Sequence, residues 1–281
     1  MKLLKTYKQL VFLCLLSIPF IGCSTSKQYV GVRNFEVYAN ANRTGFTAKL
    51  WFPTRKGIEQ RFGESRIRPG YLAVPDAIVV FTEQAPLFVL THGSGGSADS
   101  MAWLAIKLAE LGALVVAADH PASSGGDPER ASMLEVWSQP EDVSLMLDEL
   151  LDSDWKTHID DQRIAVIGFS LGGASAISLA GGRLQFERFP KFCGTHNDGA
   201  CNAFRHLFWG LDADFYDRAN ADLSDSRISA AVAIAPGFTE SLTTESLQSL
   251  ETPLLLIVAE NDQQLPPATH VKPVLRFLPQ N

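Results

Sequence analysis

The sequence predicts an α/β protein in which a mostly parallel sheet carries helices on both faces. Short continuous apolar runs, at 87–90, 114–118, 164–167, 230–235 and 254–258, have the pattern of strands buried on both sides. Segments of helical spacing alternate with them, at 97–111, 141–151, 171–180 and 244–250, as crossover connections require. The composition, 46% hydrophobic and 20% charged over 281 residues, suits a packed core and excludes a disordered chain, a collagen or a coiled coil. A net charge of −7 offers no basic field to attract nucleic acid.

Taken in order, residues 1–22 read as a signal segment. Lys2, Lys5 and Lys8 form a basic start, and the apolar stretch 10–20 is shorter than the roughly 20 residues that span a membrane. Ile21-Gly22-Cys23 resembles a bacterial lipobox, which implies an acylated Cys23 and a lipid anchor in the cell envelope. Ser24 follows where an Asp would signal inner-membrane retention, so the outer membrane is expected. Loss of 1–22 removes three lysines and no acid, which leaves the chain at −10. Residues 23–34 then form a tether, and 35–281 the folded domain.

Two opening strands are expected at 35–38 and 46–52, antiparallel at one sheet edge. The stretch 181–226 breaks the rhythm with aromatics, Asp and Asn, and is long enough to be a lid-like insertion. Its Cys193 and Cys201, with seven residues between them in an exported chain, read as a disulfide. The alternative is a zinc site of Cys193, His196, Cys201 and His206, with ligand types in an unusual order. Export favours the disulfide, and no metal is expected.

Chemistry concentrates at three strand ends. In Gly168-Phe169-Ser170-Leu171-Gly172 a buried run ends in G-x-S-x-G and a helix of small residues begins. By chance such a pentad arises about 0.1 times in a chain of this size. The glycines remove side chains where a sharp strand-to-helix turn leaves no room, and the turn sets Ser170 at a helix N-terminus that favours an oxyanion. A Gly-rich packing turn with an incidental serine is the competing explanation. The second end, His92-Gly93-Ser94-Gly95-Gly96, follows another buried run. It lacks the lysine and spacing of a phosphate loop. The N–H groups of Ser94 and Leu171 are the expected oxyanion donors, with His92 orienting the loop. The third end, Glu260-Asn261-Asp262, offers an acid to orient a histidine; Asp262 is preferred over Glu260, and a helix-capping Asp is the plainer alternative.

Together the H-G-S-G-G loop, the G-F-S-L-G-G turn and the A-E-N-D turn resemble the α/β-hydrolase superfamily. Asp119-His120-Pro121 narrows the resemblance to the bacterial predicted dienelactone hydrolase group, which shades into esterases similar to platelet-activating-factor acetylhydrolase. The resemblance runs from about residue 35 onward. It implies an α/β-hydrolase fold and a Ser-Asp-His triad acting on esters without metal or organic cofactor. Dienelactone hydrolases use Cys where this chain has Ser170, so ancestry rather than substrate is implied. The order Ser170 before Asp262 is the one this fold uses.

The resemblance also implies a strand and a loop bearing the catalytic histidine after the acid. Only 19 residues follow Asp262, room for a helix at about 268–278. A truncated hydrolase lacking its last strand and helix is therefore expected, with His270 the leading candidate base inside the chain and His120 the second. Three functions compete: hydrolysis of small or lipid-like esters, a non-catalytic envelope-anchored binding module, and acyl transfer or C–C hydrolysis on the same triad. An aromatic lid (Phe186, Phe189, Phe204 and Phe208 among others) favours an apolar substrate.

Overall fold

The computed structural model describes residues 28–39, 41, 44–81, 83–125 and 134–279. The signal segment 1–22, Cys23 and the first part of the tether lie outside the described residues.

Nine strands make one sheet. They are β1 (Tyr29–Val37), β2 (Phe46–Thr54), β3 (Gln60–Ser65), β4 (Arg68–Pro75), β5 (Ala85–Thr91), β6 (Leu114–Ala118), β7 (Ile159–Phe169), β8 (Ile228–Ile234) and β9 (Leu254–Ile257), in the order β3-β4-β1-β2-β6-β5-β7-β8-β9. The five apolar runs form β6-β5-β7-β8-β9, all parallel, with Val89 opposite Val116, Leu90 opposite Ile167 and Val232 opposite both Ile167 and Leu255. Burial on both faces explains why these strands read as unbroken apolar runs. β2 joins antiparallel to β6, and β1 antiparallel to β2.

The opening pair is not the sheet edge, because β4 pairs with β1 and β3 with β4 outside it. This hairpin escapes sequence reading for a physical reason. No residue of β3 is buried and Ala73 is the one buried residue of β4, so neither strand alternates cleanly. Gly63 and Gly70, both with positive φ, further bend it. At the opposite edge β9 has one paired neighbour, β8, among the described residues.

Helices cover both faces. α1 (Ala102–Glu110) lays Ala102, Ala105 and Ala109 on Trp51, Leu90 and Val115. On the other face α2 (Ser138–Asp152) and α3 (Leu171–Leu179) set Met146, Leu147, Leu150, Ala176 and Leu179 on Val89, Val116 and Val166. The expected start of the first helix at 97 is a 3₁₀ turn, Ala98–Met101, closed by a capping box between Ser97 and Ser100.

The insertion folds as α4 (Arg188–Cys193), α5 (Gly199–Phe204), a 3₁₀ turn (Arg205–Gly210) and α6 (Ala213–Ala219). Phe186 and Phe189 are fully buried and pack edge-on to one another and against Phe238. The aromatics thus serve as core as well as lining. Cys193 and Cys201 are joined and tie the end of α4 to α5, a restraint worth about 2–3 kcal/mol in the loop-entropy picture. α7 (Thr244–Gln248) follows β8, and the expected C-terminal helix shrinks to α8 (Lys272–Leu275). Pro273 explains the late start, since it would break the interior of a helix begun at 268 but is tolerated in the first turn of α8. Among the described residues no helix is long and apolar enough to cross a membrane.

Candidate active site

The turn between β7 and α3 holds Ser170 at φ 56° and ψ −114°, a region that side chains other than glycine rarely occupy. Its neighbours leave no alternative. A Cβ at Gly168 would strike the Gly172 carbonyl, and one at Gly172 would strike the Thr91 carbonyl at the end of β5. Thr91 Oγ1 adds a buried hydrogen bond to the Gly172 carbonyl at 3.0 Å. The strained serine is also anchored through its backbone: Ser170 N–H donates to Ile234 at the end of β8, and its carbonyl accepts from Gly237. The Ser170 hydroxyl has no hydrogen-bond partner among the described residues.

The loop after β5 lies beside it. Gly95 N–H donates to the Ser123 carbonyl and Gly96 N–H to Gly93, whereas the N–H groups of Ser94 and Leu171 find no acceptor among the described residues. Ser94, Ser170 and Leu171 all line one cavity of about 200 Å³, roofed by Phe189 and Phe204 of the insertion and Phe238 of the loop after β8. These three sequence-predicted residues are therefore brought together.

A buried polar network fixes that loop. His92 Nδ1 donates to the Gly93 carbonyl at 2.8 Å, and Nε2 sits 3.1 Å from Ser124 Oγ. Burial, reinforced by the adjacent His120, pushes the His92 pKa down to about 3. His92 is thus a neutral ring held between backbone and hydroxyl. Gln139 of α2 donates to the His92 carbonyl and to Ser123 Oγ, and its own amide oxygen accepts from Ser175 of α3. His120 donates from Nδ1 to Asp142 of α2 at 3.1 Å, both side chains being fully buried. Asp119, next to His120 in sequence, accepts from Ala98 N–H at the start of the 3₁₀ turn.

His270, the leading candidate base inside the chain, is bonded to other groups than Ser170 and Asp262. Its ring is fully buried, with Nδ1 donating to Glu240 Oε2 at 3.0 Å and Nε2 to Asp198 Oδ2 at 3.1 Å. With a carboxylate facing each ring nitrogen, the charged form of the ring is favoured. Burial works against that charge, yet the carboxylates of Glu240 and Asp198 outweigh it and raise the pKa above 6.5. Pro266 and Pro267 start the turn that carries His270 inward, and the His270 carbonyl accepts from Thr239 Oγ1. Neither Ser170 nor Asp262 is a partner. None of the six histidines hydrogen-bonds to Ser170.

Asp262 caps its own turn: Oδ1 accepts from Gln264 N–H at 2.8 Å and Leu265 N–H at 2.9 Å. That turn presents Gln264 and Leu265 to the cavity of Ser170, while Asp262 itself lines a shallow polar depression with His196 and Asp198. The joining of Cys193 and Cys201 removes both thiolates that the zinc alternative needs.

Four residues escaped sequence reading: Gln139, Asp142, Asp198 and Glu240. Gln139 and Asp142 interrupt the stripe that continues with Met146 and Leu150, and a polar pair on an apolar stripe is a signal of buried bonding. Asp198 shows as an N-cap, accepting from Cys201 N–H. Glu240 carries no signal in its spacing.

The strained serine between a buried strand and a helix of small residues, faced by a glycine loop with free donors, defines a hydrolase-type α/β site. The alpha/beta hydrolase family model matches residues 88–278, and the chain belongs to that family. No curated protein matches the chain. Among solved structures it resembles a ferulic acid esterase from Streptomyces cinnamoneus, with a TM-score of 0.57 and 18% identity, over 92% of this chain and 72% of that one. At that identity the likeness concerns the fold.

Proposed function

We propose that the protein hydrolyses carboxylic esters with Ser170 as nucleophile. The observation that carries this reading is a strained serine whose hydroxyl has no partner among the described residues, set in an apolar cavity beside two N–H groups that likewise find no acceptor there. Ser170 Oγ adds to the ester carbonyl, and the charge that develops on oxygen is received by Ser94 and Leu171 N–H. Collapse expels the alcohol and leaves an acyl-serine, which water hydrolyses to the acid. The apolar cavity under Phe189, Phe204 and Phe238 suits a short aliphatic or aromatic group on one half of the ester. The likeness to dienelactone hydrolase and platelet-activating-factor acetylhydrolase relatives belongs to the same proposal, as does a lipid on Cys23 that tethers the domain to the bacterial envelope.

A second reading rests on a specific observation. His270 is fully engaged by Glu240 and Asp198, and no histidine ring hydrogen-bonds to Ser170. An unassisted serine is a weak nucleophile, so this arrangement also suits a domain that binds an ester-like ligand without turning it over. Fluorophosphonate labelling separates the two. Hydrolysis predicts stoichiometric labelling on Ser170, lost in Ser170→Ala together with 4-nitrophenyl ester turnover. A folded protein that neither labels nor turns over esters is the binding module.

A further inference from the structure

A second cavity, of about 600 Å³, also borders the Ser94 loop. Gly93, Ser94, Ser97, Trp103 and Phe169 contribute to its wall, and Ser94 lines both cavities. An ester bound at Ser170 therefore has room for one half under the insertion and the other half here. The walls differ: the first is apolar, whereas the second carries Arg68 as its one charged residue.

Arg68 opens β4, directly after Ile67 at the tip of the hairpin. Its one side-chain hydrogen bond among the described residues is a long one, from Nη1 to Ser97 Oγ at 3.4 Å. Nε is buried and has no partner. No ion pair joins Arg68 to a carboxylate among the described residues. Asp99 of the neighbouring 3₁₀ turn is bonded elsewhere through Oδ1, which accepts from Lys49 Nζ at 2.6 Å and from Tyr71 at 2.8 Å. In a chain of net charge −7, a guanidinium that has a buried, unmet donor and no ion pair among the described residues stands out. Such a group is costly in the free protein and is satisfied when an oxyanion supplies the missing acceptor. Guanidinium geometry suits the two oxygens of a carboxylate or a phosphate, and the exposed face of Trp103, which is 64% accessible, offers a flat apolar surface at the same mouth.

We infer that the preferred substrate is an ester with an anionic half, carrying a carboxylate or a phosphate that Arg68 receives while the other half occupies the apolar cavity. This rests on the ester-hydrolase reading and deepens it to a substrate class. Arg68 acts as a specificity-determining residue, remote from the bond that breaks.

The test compares four esters: phenyl butyrate, 4-butyryloxybenzoate, 4-butyryloxyphenyl phosphate and monophenyl glutarate. The last carries its acid on the acyl side, and the two middle ones separate carboxylate from phosphate. The quantity read is the ratio of kcat/KM for each anionic ester to that for phenyl butyrate. At least one ratio is expected to fall about 10–100-fold in Arg68→Gln, the loss of a charge-assisted hydrogen bond, and to be partly restored in Arg68→Lys. Ratios that stay unchanged in Arg68→Gln overturn the inference while leaving ester hydrolysis standing. Calorimetric binding of the same esters to Ser170→Ala and to Ser170→Ala/Arg68→Gln supplies the independent arm. Arg68-dependent binding of an anionic ester without turnover by the parent protein keeps the anion site and sinks the hydrolase reading. Equal binding of charged and neutral esters by both variants sinks the anion site.

Discussion

Ser170 and His270 are built in opposite ways. Ser170 has a strained backbone and an unpartnered head in a cavity, whereas His270 is fully buried with both ring nitrogens bound to carboxylates. Strain and an unmet hydroxyl cost stability and leave a group ready to react. Two buried ion pairs do the reverse: they hold the turn after Asp262, the loop after β8 and the start of α5 in one place, and they take the imidazole out of chemistry. A titratable residue at the expected distance in sequence is thus no guide to its role until its partners are known.

The sharpest break of this contrast comes from His270→Ala. It leaves Glu240 and Asp198 as buried carboxylates without their cation, and removing one partner of such a cluster costs about 3–5 kcal/mol. A large drop in Tm is expected. If His270 were the base instead, the variant would keep its Tm and lose turnover alone.

The pH dependence sharpens the same point. The folded pKa of His270 lies above the unfolded value of 6.5. Its contribution is therefore complete below pH 6.5 and fades as pH rises through the elevated folded pKa. The Tm gap between the parent protein and His270→Ala is expected to be widest in mild acid and to narrow in alkali. A gap that widens with pH would mean that the ring is held neutral.

The smallest effect lies at the other pole. Ser170→Gly relieves a backbone conformation that glycine tolerates, so it is expected to raise stability by about 1 kcal/mol while abolishing hydrolysis. Parallel denaturant titrations read it as a shift to higher midpoint at constant slope. A lower midpoint would show that the elbow is held without strain.

What the sequence made legible follows the same division. The five parallel strands and the Ser170 turn were readable because each depends on residues adjacent in the chain: apolar runs, and glycines that sterics demand at Gly168 and Gly172. The partners of the histidines were not. His120 meets Asp142, and His270 meets Asp198 from 72 positions earlier, through packing that no local pattern records. The β3–β4 hairpin stayed hidden because its half-exposed faces do not alternate. Arg68 stayed hidden with it: its significance comes from the cavity it borders.

The helix behind the nucleophile has a consequence for how the protein can vary. All nine residues of α3, Leu171 to Leu179, are buried, and a Cβ at Gly173 would press on Pro236. Nearly any replacement there adds volume to a close-packed interior and moves the serine along with it. The insertion is different: α5 has one buried residue, Cys201, and α6 one, Ala219. Random mutagenesis should therefore recover few variants in α3 and more at the exposed positions of α5 and α6. New substrate preferences, whether reached by selection or by design, are expected to come through changes in the cavity roof, with the platform beneath Ser170 left as it is.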